Sequence, residues 1–223
     1  MPLPAPLLRF WYERDATDDA RRTPWGVVFA DPRFPLIYDA NRAGVLEEVS
    51  DLTLEEVRKE LLPALEWARS PHEHIEFWAA QNAPALEQIR AEGAEENHDV
   101  VMVFEGDVSR PETDEVEVHE IVHLDEDFLQ WYRASRDDFG ETPEYTPAVV
   151  DQLFRRDLEA FVPRGMRFFV ASIEGARAGL AALQSLMSVG YISSVVTMPE
   201  FRRRGVGSAL VRRVIDESLT AGN

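Results

Sequence analysis

The sequence from Val195 to Leu210 reads Val-Val-Thr-Met-Pro-Glu-Phe-Arg-Arg-Arg-Gly-Val-Gly-Ser-Ala-Leu. A β-branched run ends at Met198-Pro199, a short basic loop follows, and the apolar periodicity of residues 206–219 predicts a helix. Gly205 and Gly207 lie at the junction of loop and helix, where the missing Cβ lets a ligand approach backbone N–H groups. The first turn of a helix has unpaired N–H donors and the positive end of the dipole. The junction is therefore a candidate site for a phosphate or pyrophosphate.

Three consecutive arginines precede the glycines, and guanidinium groups match phosphate oxygens well. A Gly-x-Gly pair alone is common, and an ordinary turn with a solvated basic face is the alternative interpretation. The full spacing is more specific. It resembles the acyl-CoA-binding motif of GNAT-type N-acetyltransferases, which is Arg/Gln-x-x-Gly-x-Gly/Ala after a strand that ends near a proline. Here Arg202, Gly205 and Gly207 match the motif, and Pro199 follows the strand.

The resemblance implies that acetyl-CoA is the acyl donor. It also implies that the backbone of the β-branched strand pairs with the pantetheine arm, while the basic loop holds the pyrophosphate. The residues that the resemblance assigns to acetyl-CoA are Val195, Val196, Thr197, Arg202, Arg203, Arg204, Gly205, Val206, Gly207 and Ser208.

The same resemblance implies direct transfer of the acetyl group to the amine of a small molecule, achieved by positioning and without an acyl-enzyme. A backbone N–H near Val196 would polarise the thioester carbonyl, and Ser193 or Ser194 could anchor a water. The spacing of residues along the sequence identifies neither the base that takes the amine proton nor the acid that protonates the leaving thiolate. The alternative function is a non-catalytic module that binds acyl-CoA or a partner protein through a GNAT-like fold.

Composition excludes several classes of function. The chain has 223 residues, of which 45% are hydrophobic, and a net charge of −18, which argues against a nucleic-acid partner because phosphate binding needs a basic surface. No apolar run reaches the roughly 18–20 residues that cross a bilayer, and the N-terminus lacks the pattern of a signal peptide. The absence of cysteine excludes disulfides and agrees with a reducing compartment. We expect a cytoplasmic protein without membrane contact.

The second half of the chain predicts an α/β fold with a mixed, mostly antiparallel central sheet flanked by helices. The order of elements resembles the first part of the GNAT fold. A GNAT sheet continues beyond the loop–helix motif, so we expect strand 191–197 to be an exposed edge here, covered by the first half or by a second copy in a homodimer. The predicted strands are 116–122, 167–173, 178–185 and 191–197, and the predicted helices are 125–135, 147–161 and 206–219.

The first half resembles the later part of a GNAT fold more weakly. Thr53-x-x-Glu56 predicts a capping box. Asn82-x-x-Ala85-x₇-Gly93 has the spacing of a second family pattern, but Ile89 stands where the family often has its general-acid tyrosine, and Ala94 where phenylalanine is usual. The predicted strands are 35–38, 74–80 and 99–104, and the predicted helices are 53–69 and 83–91.

These patterns suggest a degenerate GNAT-like half-module over 1–105, an acidic linker over 106–115 and a GNAT module over 116–223. Two arrangements agree with that division. In one, which we favour, the chain is a tandem pair whose second module is cut short. In the other, the first block completes the sheet that the second half begins, either within the chain or across a swapped dimer.

The remaining candidates are side-chain clusters. An acidic loop is predicted to attract a cationic amine acceptor. The alternative is an ordinary solvent-exposed loop without a binding role. His72 and His74 could share a strand face, but no third ligand lies at a useful spacing, so the sequence predicts no metal site. The pair Trp131-Tyr132 is expected to pack in the core. The carboxylates assigned to the acceptor are Asp137, Asp138, Glu141 and Glu144.

Overall fold

The computed structural model describes residues 5–15, 19–79, 83–98, 101–106, 115–136 and 145–223. The chain divides into two compact units, Met1–Val103 and Phe104–Asn223. Each unit has its own four-stranded sheet. None of the helices in the described ranges is both long enough and apolar enough to span a bilayer.

The N-terminal unit has a mixed sheet in the order β1-β2-β3-β4. Its first three strands are antiparallel, whereas β3 and β4 are parallel. A parallel pair needs a crossover connection, which helix α2 provides. The strands are β1 (Arg21–Thr23), β2 (Gly26–Phe29), β3 (Arg42–Val45) and β4 (Ile75–Phe77), and the helices are α1 (Ala5–Asp15), α2 (Leu54–Ala68) and α3 (Pro84–Ala91).

Helix α2 begins at the predicted capping box, which the structure confirms. The Thr53 hydroxyl accepts from the Glu56 backbone N–H at 3.3 Å, and the Glu56 carboxylate accepts from the Thr53 backbone N–H at 2.9 Å. Val57, Leu61 and Leu65 recur on one face of the helix and are buried against the sheet. The helix is therefore held by its cap at one end and by an apolar stripe along its length.

Two predicted strands of this unit are wrong. Residues 35–38 form tight turns that lead into a 3-10 turn at Tyr38–Ala40. The side chain of Asn41 donates to the carbonyls of Phe34 and Ile37 at 2.9 and 3.0 Å, so those acceptors are satisfied locally rather than by a sheet. In the predicted strand 99–104, the described residues 101–104 form no strand, and Met102 is 89% exposed.

The C-terminal unit has an antiparallel sheet in the order β5-β6-β7-β8. All four strands and all three helices predicted here are confirmed, with ends that differ by a few residues. The second helix continues into a π-helical segment, Asp157–Phe161. The strands are β5 (Glu117–Ile121), β6 (Met166–Ile173), β7 (Ala176–Leu186) and β8 (Val189–Thr197), and the helices are α4 (Glu126–Ser135), α5 (Pro147–Arg156) and α6 (Val206–Thr220).

Helices cover both faces of this second sheet. On one face, Val206, Leu210 and Val214 of α6 pack against alternate residues of β6 and β7. On the other face, Phe128 and Tyr132 of α4 pack against the intervening residues. The predicted α/β class, with mostly antiparallel sheets flanked by helices, is confirmed.

Candidate functional site

The turn between β8 and α6 gives the N-terminus of α6 an open backbone. Gly205 is the N-cap residue of the helix and has φ of 83°, a conformation that favours glycine. Its carbonyl accepts from the Ala209 N–H at 2.9 Å, which is the first hydrogen bond of the helix. The N–H groups of residues 206–208 belong to the first turn, where an α-helix supplies no backbone acceptor. These groups are available to an anion.

The surroundings of this turn are open and basic. A Cβ placed on Gly207 would meet only Thr197 Oγ1, at 3.5 Å, which is an ordinary contact distance. Arg202, Arg203 and Arg204 are exposed. Arg204 lies 3.6 Å from the carboxylate of Glu115, at long range for an ion pair. The three arginines therefore add positive charge beside the free N–H groups.

Not every residue of the motif presents its side chain to this surface. Val206 is only 1% exposed and lies in the core under α6, so its backbone N–H is the part that can reach a ligand. Ser208 is exposed in the first turn. Val195 is exposed, whereas Val196 packs partly against the opposite core, and Thr197 is half-buried.

Gly179 on β7 lets α6 start close to the sheet, a role that the sequence analysis did not identify. A Cβ at Gly179 would lie 2.5 Å from the Val196 carbonyl oxygen and 2.8 Å from Val206 Cγ1. No side chain fits at that distance, so glycine is required for the helix to begin beside the end of β8. A glycine inside a strand is the available signal, since it often marks such close approaches.

Strand β8 lies at the edge of its sheet and contains a bulge. Leu180 pairs with Val196 and Ala182 with Ser193, so Ser194 and Val195 together oppose a single residue of β7. Ser194 has φ of 53°. The Met198 N–H donates to the Ala178 carbonyl at 2.9 Å. Because the N–H and C=O groups of successive strand residues point to opposite edges, those of Thr197 face the free edge. These backbone groups of β8 are available to a ligand.

Two buried polar atoms lie near the bulge, on the sheet face that α4 covers. Within the part of the chain that the structure describes, neither Ser193 Oγ nor the amide nitrogen of Gln184 has a hydrogen-bond partner. Gln184 pairs with Tyr191, and Ser193 with Ala182, so the two side chains share one face of adjacent strands. An unsatisfied buried polar group costs about 1–3 kcal/mol, which favours a bound water or ligand there.

A buried hydrogen-bonded cluster lies on the same face. The Tyr132 hydroxyl donates to Asp157 in the π-helical segment, and Arg136 donates to both. Burial and the charge of Asp157 raise the pKa of Tyr132, so this hydroxyl stays protonated and is poorly suited to act as a proton donor. The predicted core position of Tyr132 is confirmed, and it stacks on Phe128 with ring centroids 5.8 Å apart.

Several predicted site residues lie outside the described residues or serve packing. The four carboxylates assigned to the acceptor, Asp137, Asp138, Glu141 and Glu144, lie outside the described residues, as does Asn82. Ile89, at the position of the family's tyrosine, packs against the core of the N-terminal unit.

Comparison with known proteins agrees with the resemblance. Residues 126–223 match the family model of the acetyltransferase (GNAT) family. No curated protein matches the chain.

Among solved structures, the functionally unknown conserved protein from Staphylococcus epidermidis ATCC 12228 has a similar fold. It has a TM-score of 0.64 and 14% identity, and the match covers 95% of this chain and 83% of that chain. A predicted acetyltransferase with acetyl-CoA from Clostridium acetobutylicum has a TM-score of 0.37 and 14% identity, over 48% of this chain and 75% of that chain. The ribosomal-protein-S18-alanine N-acetyltransferase from Escherichia coli has a TM-score of 0.38 and 18% identity, over 48% and 61% of the two chains.

The likeness to the Staphylococcus epidermidis protein bears on the fold alone, whereas the family match bears on the kind of domain. It spans α4 through α6 and so includes the bulged edge strand and the glycine turn. Residues 126–223 therefore resemble a domain of the acetyltransferase (GNAT) family, whose members use acetyl-CoA.

Proposed function

We propose that the C-terminal unit is an N-acyltransferase that transfers acetyl from acetyl-CoA directly to the amine of a small molecule. The observation that carries this proposal is the left-handed Gly205 at the start of α6, beside the free edge of β8 and three exposed arginines. This arrangement combines an anion site with a strand edge, which are the two things that a pyrophosphate followed by an amide-containing arm requires.

In this proposal the donor lies across the turn and along the strand. The N–H groups of residues 206–208 and the side chains of Arg202 and Arg203 bind the pyrophosphate. The backbone of Val195–Thr197 then pairs with the pantetheine arm, which brings the thioester to the bulge.

The chemistry at the bulge is aminolysis of a thioester. A backbone N–H near Val196 polarises the carbonyl, the neutral amine attacks the carbonyl carbon, a C–N bond forms, and the C–S bond breaks. The amine loses a proton and the departing thiolate gains one. A water held at Ser193 Oγ, the buried hydroxyl without a protein partner among the described residues, is the proposed relay for one of these protons.

The equivalent turn in the N-terminal unit is chemically unsuited to the donor, which supports assigning the site to the C-terminal unit. The connection from β3 to α2 carries Glu47, Glu48 and Asp51, and the first turn of α2 adds Glu55 and Glu56. Five carboxylates at a helix start repel a pyrophosphate. We therefore propose a degenerate module over 1–105, a linker over 106–115 and the active module over 116–223. The absence of cysteine supports a cytoplasmic location.

For the acceptor, we propose a small cationic amine drawn by Asp137, Asp138, Glu141 and Glu144 and by the net charge of −18. The fourfold Asn/Gln variant of these residues is expected to raise the acceptor's KM and to flatten its salt dependence, while acetyl-CoA affinity stays unchanged. Kinetics at two salt concentrations test this. A parent-like salt dependence in the variant would mean that the loop is only a solvated connection.

The experiment that tests the proposed function measures thiol release from acetyl-CoA in the presence of a panel of amines, with mass spectrometry of protein and products. We expect at least one acetylated amine and no acetylated protein intermediate. Binding of acetyl-CoA without acetylation of any amine would instead support the non-catalytic acyl-CoA-binding module. Absence of acetyl-CoA binding would contradict both functions.

A further inference from the structure

We propose that the N-terminal unit contains a binding site for Zn²⁺ formed by Asp39, His74 and Glu76. The candidate ligand atoms of these three residues all lie within 4.8 Å of one another, and each residue is half-buried. One imidazole nitrogen and two carboxylate oxygens form a donor set that zinc takes in proteins. Asp39 lies in the 3-10 turn and the other two lie at β4, so 34 residues of sequence separate the first ligand from the second.

The spacing between the two ligands at β4 fits a tetrahedral metal. His74 Nε2 lies 3.5 Å from Glu76 Oε1, which makes their hydrogen bond long and therefore weak. Two ligand atoms at about 2.0–2.2 Å from zinc are roughly 3.4 Å apart at the tetrahedral angle, and only about 3 Å apart in an octahedral site. The candidate ligand oxygen of Asp39 lies within 4.8 Å of the ligand atoms of both other residues.

The Glu76 carboxylate is already held in the orientation that the metal requires. Its Oε2 accepts from the indole N–H of Trp78 at 2.9 Å and lies 2.9 Å from Arg42 Nε. Both contacts engage the same oxygen, which directs Oε1 at His74. Ligating carboxylates are commonly fixed by such outer hydrogen bonds, which order the site before the ion binds.

The charges around the site favour a cation. Arg42 contacts Glu76 but also binds Asp15 at 2.8 Å, and Arg14 binds Asp15 at 2.9 Å. A divalent cation between Glu76 and Asp39 would be attracted by their two carboxylates.

The chain contains a matched pair that should not bind zinc. His98 Nε2 also lies 3.5 Å from a carboxylate oxygen two residues away, that of Glu96. Here Arg90 binds both oxygens of Glu96, at 2.9 and 2.6 Å, and His98 is exposed. Among the residues whose positions are described, only the Asp39 cluster brings three such ligands together. The pair at His98 therefore controls for a histidine–glutamate contact alone.

The test is titration of the metal-free full chain with Zn²⁺ in competition with a chromogenic chelator. We expect the parent and His98→Ala to bind one Zn²⁺ per chain. In His74→Gln and in Asp39→Asn we expect the affinity for Zn²⁺ to fall by about tenfold or more. Co²⁺ in place of Zn²⁺ should give the visible absorption of a tetrahedral site in the parent and lose it in His74→Gln. These variants leave the contacts of Glu76 with Arg42 and Trp78 in place, so unchanged circular dichroism is expected.

The proposal is overturned if the parent binds no Zn²⁺, if His74→Gln binds as the parent does, or if His98→Ala loses the same affinity. The result is independent of the proposed acyl transfer. His74→Gln should bind acetyl-CoA as the parent does, because the donor site belongs to the other unit.

Discussion

Single glycines decide how closely a ligand can approach the start of α6. Gly205 has φ of 83°, and a Cβ on Gly207 would project toward Thr197 Oγ1 with little else nearby. Both positions were predictable, because the need for glycine arises from a local strand–turn–helix sequence. The role of Gly179 was not, since the atoms that exclude its Cβ come from β8 and α6. Tyr132 and Arg136, the hydrogen-bond partners of Asp157, were hidden for the same reason.

The substitution Gly205→Val tests the turn at the level of one residue. A β-branched side chain is strained at positive φ and would cover the N–H groups of the first turn, so we expect acetyl-CoA affinity to fall by about tenfold or more. Isothermal titration calorimetry measures it. The control is Gly175→Val, which has φ of 79° and open space around its Cβ, and therefore carries the same backbone strain away from the site. Equal affinity in the two variants would remove Gly205 from the donor site.

Among the elements, α6 is tied to the sheet by Arg167 of β6. Its guanidinium donates to Glu120 of β5 at 2.8 Å and to Glu217 of α6 at 2.7 Å. The hydrogen bond and charge of Arg167 outweigh the opposing effect of burial and lower the pKa of Glu120 below its ordinary value of 4.5. This bridge holds the C-terminal part of the helix whose N-terminus forms the candidate donor site.

The lowered pKa predicts how this bridge responds to acid. A carboxyl group whose pKa is lower in the folded state stabilises the fold above its unfolded pKa, and that stabilisation is lost as the pH falls through the folded value. Glu120→Gln should therefore lower the free energy of unfolding by about 1 kcal/mol at pH 7. It should make no difference at a pH low enough to protonate the Glu120 carboxyl group in both the folded and the unfolded protein. Urea unfolding across pH 7 to 3 measures this, with Glu117→Gln in the same strand as the control. If the difference in unfolding free energy between the parent and Glu120→Gln did not change with pH, the lowered pKa of Glu120 would not be its cause.

Long strands and helices with a capping residue are the elements that can be predicted from the sequence. The strands of the C-terminal unit alternate over five to eleven residues, and Asp125 caps α4 by accepting from the Phe128 N–H at 2.8 Å, so local patterns identify them. In the N-terminal unit, β1 has three residues, and β3 includes the charged Arg42, whose burial is compensated by ion pairs with Asp15 and Glu76. Local patterns contain no sign of that distant partner.

For the whole molecule, the free edge of β8 is the feature that an assembly would use. In the described part of the sheet, β8 pairs only with β7, and Val195 is 44% exposed. An unpaired edge strand can pair with a second chain. The proposed homodimer and the proposed pantetheine arm would then occupy the same backbone groups.

Because the dimer and acetyl-CoA would use the same strand edge, we expect self-association and acetyl-CoA binding to compete. We expect the concentration-dependent mass of the chain, measured by light scattering, to move toward the monomer when acetyl-CoA is saturating. Val195→Lys should reduce association without ligand, because a charged residue on an edge discourages pairing. An association that acetyl-CoA leaves unchanged would contradict a dimer formed through this strand.

The most direct test of the account as a whole is hydrogen–deuterium exchange of the full chain with and without acetyl-CoA. If acetyl-CoA binds at the glycine turn, exchange should slow in residues 193–208, which include the bulge of β8, the glycine turn and the first turn of α6. Exchange in residues 46–56, at the acidic turn of the N-terminal unit, should change little. Protection confined to other segments, or no protection at a saturating concentration of acetyl-CoA, would contradict the assignment of the donor site.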